Sequence, residues 1–348
     1  MNKSDEIVSS DIVSIVDDIL EFSHILEDKR ILVVGGRGFL GTYFIKVFQK
    51  INEHLKSPAK IIILDNQITS KYKEEFNDPN ITFLDHDIIE PFSLPEELHY
   101  IIHTASIASP PIYRKFPIKT LDVNYQGTRN LLDLAKDKKI LSMLFLSSSE
   151  IYGDPKVVPT PESYQGYVSC TGPRACYDES KRLAETISLL YFQQFNVPIK
   201  IVRPFNVYGP FLNLDDGRII PDFMKNAFEK SEIVIHSDGS PTRSFCYVSD
   251  AIRAFFRMLL LAPNGSICNV GNDEEVSVLD VAKMIQKIFD TDINIKIEKN
   301  SDPHYTTDNP QRRCPDLSLI NSLVEYKPRI MFENGLKRVY DWYSGNLK

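Results

Sequence analysis

Apolar and polar positions follow two rhythms along this chain. Ahead of residue 30, Ile12, Ile15, Val16, Ile19 and Leu20 recur at steps of three and four, one stripe of an amphipathic helix, with Ser10 or Asp11 as its expected cap. Charges at Asp17, Asp18 and Glu21 argue against a membrane segment, so the pattern predicts a helix packed on the body. From Arg30 the rhythm changes to short strand-like runs, continuously apolar at 31–34 and 61–64, with further candidate strands at 81–84, 100–103, 143–147 and 199–202. Helical patterns lie between several of them, at 42 to about 49, 120–136 and 177–194. Strands that are apolar throughout, alternating with helices, predict a doubly wound α/β domain whose parallel sheet is covered on both faces.

Beyond Pro204 the rhythm becomes irregular. Turn residues stand at Gly209-Pro210, Asp215-Asp216-Gly217 and Asp238-Gly239. Helical stretches at 220–229, 278–289 and 334–343 alternate with short strands at 233–236 and 293–297. Neither a linker nor a repeat separates this part. The expected organisation is an N-terminal helical extension (1–30), a dinucleotide-binding domain (31–205, with a return segment near 244–262), and a smaller C-terminal substrate-binding α/β domain (mainly 206–348).

Composition narrows the function classes. The 348 residues carry 40 Lys and Arg against 47 Asp and Glu, a net charge of -7, which argues against a general nucleic-acid binder. The five cysteines are scattered without CxxC spacing, so neither a disulfide framework nor a metal site is expected, and a reducing cytoplasmic setting is. No apolar run is long enough to span a membrane, and the polar, acidic start does not read as a signal peptide.

Between the first strand and the first helix of the domain stands Gly35-Gly36-Arg37-Gly38-Phe39-Leu40-Gly41, a GxxGxxG loop. Glycines there permit a tight turn, close approach of backbone to a pyrophosphate, and close helix–strand packing, while the helix N-terminus faces the phosphates. Asp65 ends the second strand, where a carboxylate accepts ribose hydroxyls and repels a 2′-phosphate; this favours NAD over NADP. Arg37, inside the loop, is of the type that also accommodates a 2′-phosphate. Further on, Tyr177 and Lys181 form YxxxK on one helical face. An ammonium near a phenol lowers its pKa and makes it a general base and acid. Ser147-Ser148-Ser149-Glu150 follows a strand, where its polar groups project over the cofactor.

From about residue 30 to 343 the chain resembles the extended short-chain dehydrogenase/reductases, a Rossmann-like group, and within it the nucleotide-sugar enzymes. It is most similar to the UDP-glucuronic acid decarboxylases (UDP-xylose synthases). The residues that carry this are Ser109-Pro110-Pro111, the run 117–121, Ser149-Glu150-Ile151-Tyr152-Gly153-Asp154-Pro155, Gly172-Pro173-Arg174-Ala175-Cys176-Tyr177-Asp178-Glu179, Asp216-Gly217-Arg218 and the run 238–245. Ser149-Glu150 is the decarboxylase pattern; dehydratases carry Asp-Glu there and 4-epimerases lack the glutamate. Ser148 stands where decarboxylases usually have threonine, and Tyr167-Val168-Ser169-Cys170-Thr171 departs from their asparagine-rich stretch.

The resemblance implies that the sugar is oxidised at carbon 4, with NAD as cofactor, and that the resulting β-keto acid loses carbon dioxide before re-reduction. It implies Tyr177, Lys181, Ser148, Ser149 and Glu150 as catalytic residues, with Glu150 handling a proton near carbon 5. It implies Gly35, Gly38, Phe39, Leu40, Gly41, Asp65, Asn66, Asp87, Ile88, Thr104, Ala105, Ser106 and Asn124, together with Tyr177 and Lys181, around NAD. Ser109, Pro110, Tyr113, Asn206, Arg218, Arg243 and Arg312 are implied around the nucleotide sugar, with Gln311 and Arg313 in the same tail cluster. A homodimer pairing the helices near 120–136 and 177–194 is also implied. The expected reaction is UDP-glucuronate to UDP-xylose. The alternatives are a 4-epimerase or 4,6-dehydratase using the same bound NAD, or a dinucleotide-sensing protein that has lost its chemistry, which predicts a broken Tyr/Lys pair.

Overall fold

The computed structural model describes residues 3–68, 75–94, 97–289, 292–298 and 309–346. Its central sheet is built from β1 (Arg30–Val34), β2 (Lys60–Asp65), β3 (Ile81–Asp85), β4 (Tyr100–His103), β5 (Ser142–Leu146), β6 (Ile199–Pro204) and β7 (Ile267–Val270), all parallel, in the order 7-6-5-4-1-2-3. Side chains alternate across a strand. Ile31, Val33, Ile61 and Ile63 therefore enter one core, with the helices Phe39–Asn52 and Val248–Leu261. Leu32, Val34, Ile62 and Leu64 enter the other, with the helices Thr128–Lys138 and Ala175–Phe195. Two covered faces explain why these strands read as unbroken apolar runs.

Strand order reverses at β1, which lies between β2 and β4. Ligands in open α/β sheets bind outside the carboxyl ends of the strands at such a point. Here Val34 pairs with Leu64 and with His103, so the ends of β1, β2 and β4 lie level. The glycine loop, Asp65 and Thr104 all leave the sheet at that edge.

Several expectations need correcting. The N-terminal helix runs Lys3–Ile19, so Ser10 and Asp11 stand inside it and cap nothing; Leu20 falls in the 3-10 turn Leu20–Leu26. The pattern at 120–136 is not one α-helix: Pro117–Asp122 and Thr128–Lys138 are joined by a π turn, Val123–Gly127, that carries Asn124. β7 was not anticipated. Its Asn269 is a buried polar residue whose amide receives Tyr152 Oη at 2.7 Å and donates to Thr160 O at 2.9 Å, so its run reads as less apolar than it is buried.

Past β6, short strands among the described residues make three small sheets. Val207–Tyr208 pairs with Cys246–Tyr247, and Glu232–Ile235 with Asn294–Ile297; Thr242–Ser244 lies between Glu275–Ser277 and Arg312–Arg313. Among the described residues no helix is long and apolar enough to cross a membrane.

Candidate active site

A cavity of about 550 Å³ opens along the carboxyl edge of the sheet, and a smaller one of about 80 Å³ adjoins it at the glycine loop. The loop's geometry explains its glycines. Gly35 has φ +78°, and a Cβ there would stand 2.7 Å from Ala105 N; at Gly41 a Cβ would stand 2.2 Å from Gly35 O. These two close the turn against β4 and the helix Phe39–Asn52. A Cβ on Gly38 would meet only Gly35 O, at 3.3 Å, so its backbone faces open space at the head of that helix. The unpaired N–H groups of a helix start then meet the cavity, which suits a pyrophosphate.

Asp65 and Asn66 line the smaller cavity with Ile88 and Ala105, and Thr104 and Ser106 line both. Asp65 accepts the N–H groups of Arg37 at 2.9 Å and Gln67 at 2.6 Å; burial raises its pKa against those bonds. The Arg37 guanidinium lies 4.0 Å over the Phe83 ring and donates to Gln67 Oε1 at 3.0 Å. Asp87 stands outside the lining of the smaller cavity, bound by the lining residues Lys119 at 2.6 Å and Asn66 at 3.1 Å. Asn124 lies behind the wall, receiving Ser106 Oγ at 2.7 Å and donating to Ser180 Oγ at 2.9 Å. These residues fit a dinucleotide.

The larger cavity brings together Ser148, Ser149, Glu150, Tyr177 and Lys181 with Ser109, Pro110, Tyr113, Asn206, Arg218 and Arg243. Tyr177 and Lys181 are both buried. Lys181 Nζ donates to Leu146 O at 2.8 Å and lies 5.9 Å from the Tyr177 ring centre. Tyr113 stacks on Tyr177 at 5.3 Å. Burial pushes the Tyr177 phenol up to about 12 against its hydrogen bond with Ser148, and burial brings Lys181 down to about 7 against the pull of Glu185. The expected lowering of the Tyr177 phenol is not seen, because burial outweighs the hydrogen bond with Ser148 and the charge of Arg218.

Behind this pair Arg203 grips Glu185 with two bonds, at 2.7 and 2.9 Å, and donates to Tyr152 Oη at 2.7 Å. This fixes the turn Ser149–Tyr152 after β5, whose cap Ser148 accepts Glu150 N at 3.2 Å. Glu150, on that turn, is held by Arg313 at 2.8 Å and by Arg174. Burial alone would raise its pKa; Arg174 and Arg313, helped by Arg243, overcome burial and hold it well below the usual carboxylate range. Arg243 is itself buried, with Nη1 on Thr242 O at 2.7 Å and Nη2 on Asn309 Oδ1 at 3.0 Å. Burial and then the charge of Arg313 lower it to about 9. Three arginines thus line the cavity around Glu150, with Asp178 Oδ2 3.7 Å from Arg174 Nε and the charge of Asp154 acting on Arg243.

Arg218 is ion-paired with Asp216 (Nη2 to Oδ2 3.0 Å) and its charge also acts on Tyr177, while Asn206, in left-handed backbone at φ 38°, donates to Ser244 O at 2.8 Å. Asparagine tolerates that conformation. Arg312 is not in the cavity: its side chain is 56% exposed and pairs with Glu275 at 2.6 Å. Its neighbour Arg313 points inward, since successive residues of the strand Arg312–Arg313 face opposite ways. Arg174 belongs to the motif Gly172–Glu179 just before Tyr177, but only its contact with Glu150 gives it a part in the site. Among the described residues no group of three His, Cys, Asp or Glu side chains is placed to hold a metal ion.

The sequence model described as the NAD dependent epimerase/dehydratase family matches residues 31–271. Over 310 residues the chain is 37% identical to UDP-glucuronic acid decarboxylase 3 of Arabidopsis thaliana, covering 88% of this chain and 86% of that one. UDP-glucuronic acid decarboxylase 1 of Danio rerio is 35% identical over 323 residues, 92% of this chain and 74% of that one. An epimerase structure from Methanothermobacter thermautotrophicus superposes with a TM-score of 0.81 at 25% identity, covering 96% of both chains. The match spans most of the chain, and its glycine loop, acidic strand end and Tyr/Lys pair meet in one cleft. The chain belongs to the NAD-dependent epimerase/dehydratase family.

Proposed function

We propose that this protein decarboxylates UDP-glucuronate to UDP-xylose. The observation that carries this reading is the arginine cluster around Glu150: Arg174, Arg243 and Arg313 line the cavity with Tyr177, and guanidinium groups there suit a substrate that brings its own carboxylate to the reacting end. NAD, in the loop of Gly35, Gly38 and Gly41 beside Asp65, supplies the hydride acceptor and donor for carbon 4. Tyr177 takes the proton of the carbon 4 hydroxyl and returns it, with Ser148 sharing its hydrogen bond. Lys181 is anchored to Leu146 O and lies against the Tyr177 ring, so it holds the phenol in place and places positive charge near it when protonated. The ketone at carbon 4 is β to the carboxylate, so carbon dioxide leaves with its electrons passing into an enolate, and carbon 5 is then reprotonated. Glu150 is held ionised by Arg174 and Arg313, so its part is to aim those two guanidinium groups at the reacting end of the cavity, and the proton for carbon 5 comes from water. Asn206, Arg218 and Arg243 hold the nucleotide diphosphate.

In this reading residues 31–205, with 244–262, hold the dinucleotide and 206–348 mainly the nucleotide sugar, in a cytoplasmic homodimer. Exposed apolar side chains on Pro117–Asp122 and Ala175–Phe195 support the dimer: Ile118 is 72%, Leu183 45% and Phe195 49% exposed. Mass spectrometry of products from purified protein given UDP-glucuronate, UDP-glucose and dTDP-glucose tests the chemistry. UDP-xylose with released carbon dioxide is the expected outcome. Conversion of a neutral sugar with no carbon dioxide from UDP-glucuronate would replace this reading with an epimerase or dehydratase.

A further inference from the structure

The helix Lys3–Ile19 precedes the residues matched by the family and takes no part in the chemistry above. Its apolar stripe, Val8, Ile12, Ile15, Val16 and Ile19, is buried, and the same face carries Asp11, only 2% exposed. A carboxylate there needs partners to offset its lost hydration. Tyr43 and Tyr247 both donate to Oδ2, at 3.0 and 2.8 Å, and Arg338 donates to Oδ1 at 2.6 Å. Arg338 Nε also reaches Tyr247 Oη, at 3.2 Å.

The two phenols come from two different elements, each with neighbouring residues that line the cavity. Tyr43 follows Thr42 in the helix that begins at the glycine loop, and residues 39–42 of that helix line the cavity. Tyr247 lies two residues after Phe245 and four after Arg243, both lining residues. Tyr43 also meets Phe211 edge-on at 5.8 Å. Phe211 lines the cavity with left-handed backbone, φ 69°, a conformation a bulky side chain keeps only where its surroundings hold it. Tyr43 packs against one side of Phe211, and Trp342, at 5.3 Å, packs against it as well.

We propose that Asp11 is a positioning residue: from behind, it ties the dinucleotide wall to the nucleotide-sugar wall and steadies Phe211, so that the N-terminal helix sets the affinity for the nucleotide sugar. The proposal rests on the cavity taking a nucleotide sugar, not on which sugar reaction follows. A second node on the same helix gives the control. Asp18 pairs with Arg257 at 3.0 Å and with Arg329, neither of which lines the cavity.

The test uses full-length Asp11→Asn, the double variant Tyr43→Phe/Tyr247→Phe, and Asp18→Asn. For each, the melting temperature, the retained NAD, and the calorimetric affinity for a nucleoside diphosphate are measured, using whichever of UDP, dTDP, CDP, GDP and ADP the parent binds most tightly. KM and kcat follow for whichever nucleotide sugar the parent converts. Asp11→Asn is expected to weaken diphosphate binding and raise KM about three- to tenfold, with kcat within about twofold and retained NAD unchanged. Asp18→Asn is expected to lower the melting temperature without moving either binding figure. The double variant keeps the Arg338 pair and carries the test should Asp11→Asn fail to fold. Parent-like affinity and KM in a folded Asp11→Asn or double variant would overturn the proposal and leave Asp11 a stabilising group alone. A parent that releases no carbon dioxide from UDP-glucuronate would sink the decarboxylase reading and leave this comparison of affinities standing.

Discussion

Glu150 and Asp11 are both carboxylates met by arginine, one inside the cavity and one behind it, and their pKa values move in opposite directions. Glu150 faces Arg174, Arg313 and Arg243, and their charges overcome burial and pull it down. Asp11 faces Arg338 and two neutral phenols; burial wins, and its pKa rises. The difference lies in the balance of the surroundings. Around Asp11 one cation meets one anion and hydroxyls complete the shell, so the node is closed and needs no further partner. Around Glu150 three guanidinium groups, one of them shared with Asp178, line an open cavity, so the cluster faces space that another anion can enter. The same residue types therefore build a fastener in one place and a receptor in the other.

The sharpest break between front and back comes from the reacting pair. Tyr177→Phe is expected to lower kcat by roughly two to four decades, the range for lost general acid–base catalysis, while nucleotide affinity stays within about twofold. Single-turnover release of carbon dioxide, set beside calorimetry, checks both halves. A smaller loss is expected for Glu150→Gln, about ten- to a hundredfold in kcat with little change in the dissociation constant. Asp11→Asn should show the reverse split, weaker binding with the chemical rate kept. If Glu150→Gln instead weakened binding and spared kcat, the two nodes would not differ in kind.

How far this contrast could be read from sequence depends on the kind of signal. The sheet was legible because most of it is covered on both faces, so β1 and β2 stand out as unbroken apolar runs and four further strands as mainly apolar ones, although Lys200 interrupts β6 and the edge strand β3 is partly exposed. β7 was lost because Asn269 is buried to satisfy Tyr152 and Thr160, which only the tertiary structure supplies. Tyr177, Lys181, Ser148 and Glu150 could be found because the glycine loop, the strand end and YxxxK have fixed local spacing. Arg174 and Arg313 meet Glu150 from positions 24 and 163 residues away, and no local pattern encodes such an encounter. Asp11 was misread for a related reason. An aspartate near a helical stripe suggests a cap, and its true partners Tyr43, Tyr247 and Arg338 are 32, 236 and 327 residues away.

Two buried lysines extend the contrast to stability. Burial brings Lys200 down to about 8, with Nζ donating to Ser142 Oγ at 2.9 Å and Leu259 O at 2.8 Å; Lys181, in the cavity, is brought down further. A lysine whose folded pKa lies below its unfolded value of 10.5 binds fewer protons when folded. Its presence therefore costs nothing above pH 10.5 and costs progressively more as pH falls toward the folded pKa, below which the cost is constant. Lys200→Met is expected to raise the melting temperature at pH 7 by about 2–4 °C, with the gain shrinking toward pH 10 and activity kept. Ser142 Oγ still donates to Leu259 O at 2.9 Å, so the carbonyl is not left unpaired. Lys181→Met should also gain stability but lose turnover, the trade expected where a buried charge serves the reaction. Thermal melts across pH 6–10 with parallel assays check the pair.

The smallest effect concerns two adjacent residues that differ only in the face they take. Arg312 and Arg313 form one short strand paired in parallel with Thr242 and Arg243, and the two-residue period of a strand sends them apart. Arg313, 3% exposed, enters the cavity and holds Glu150; Arg312 turns to solvent and pairs with Glu275. Exposed pairs of this kind contribute little, because water screens the attraction and two long side chains lose freedom to form it. Arg312→Ala is therefore expected to leave kcat/KM within about twofold and the melting temperature within about 2 °C, and added salt should not widen the gap. Arg313→Ala removes a buried cation from a carboxylate and from the receiving end of the cavity, so a loss of at least about tenfold in kcat/KM is expected. The informative result is the ratio of the two variants measured side by side. Equal losses would mean that Arg312 reaches the diphosphate after all, and that the front cluster extends past the strand to the outer face. A neutral Arg312→Ala beside a crippled Arg313→Ala would place the edge of the receptor between two consecutive residues.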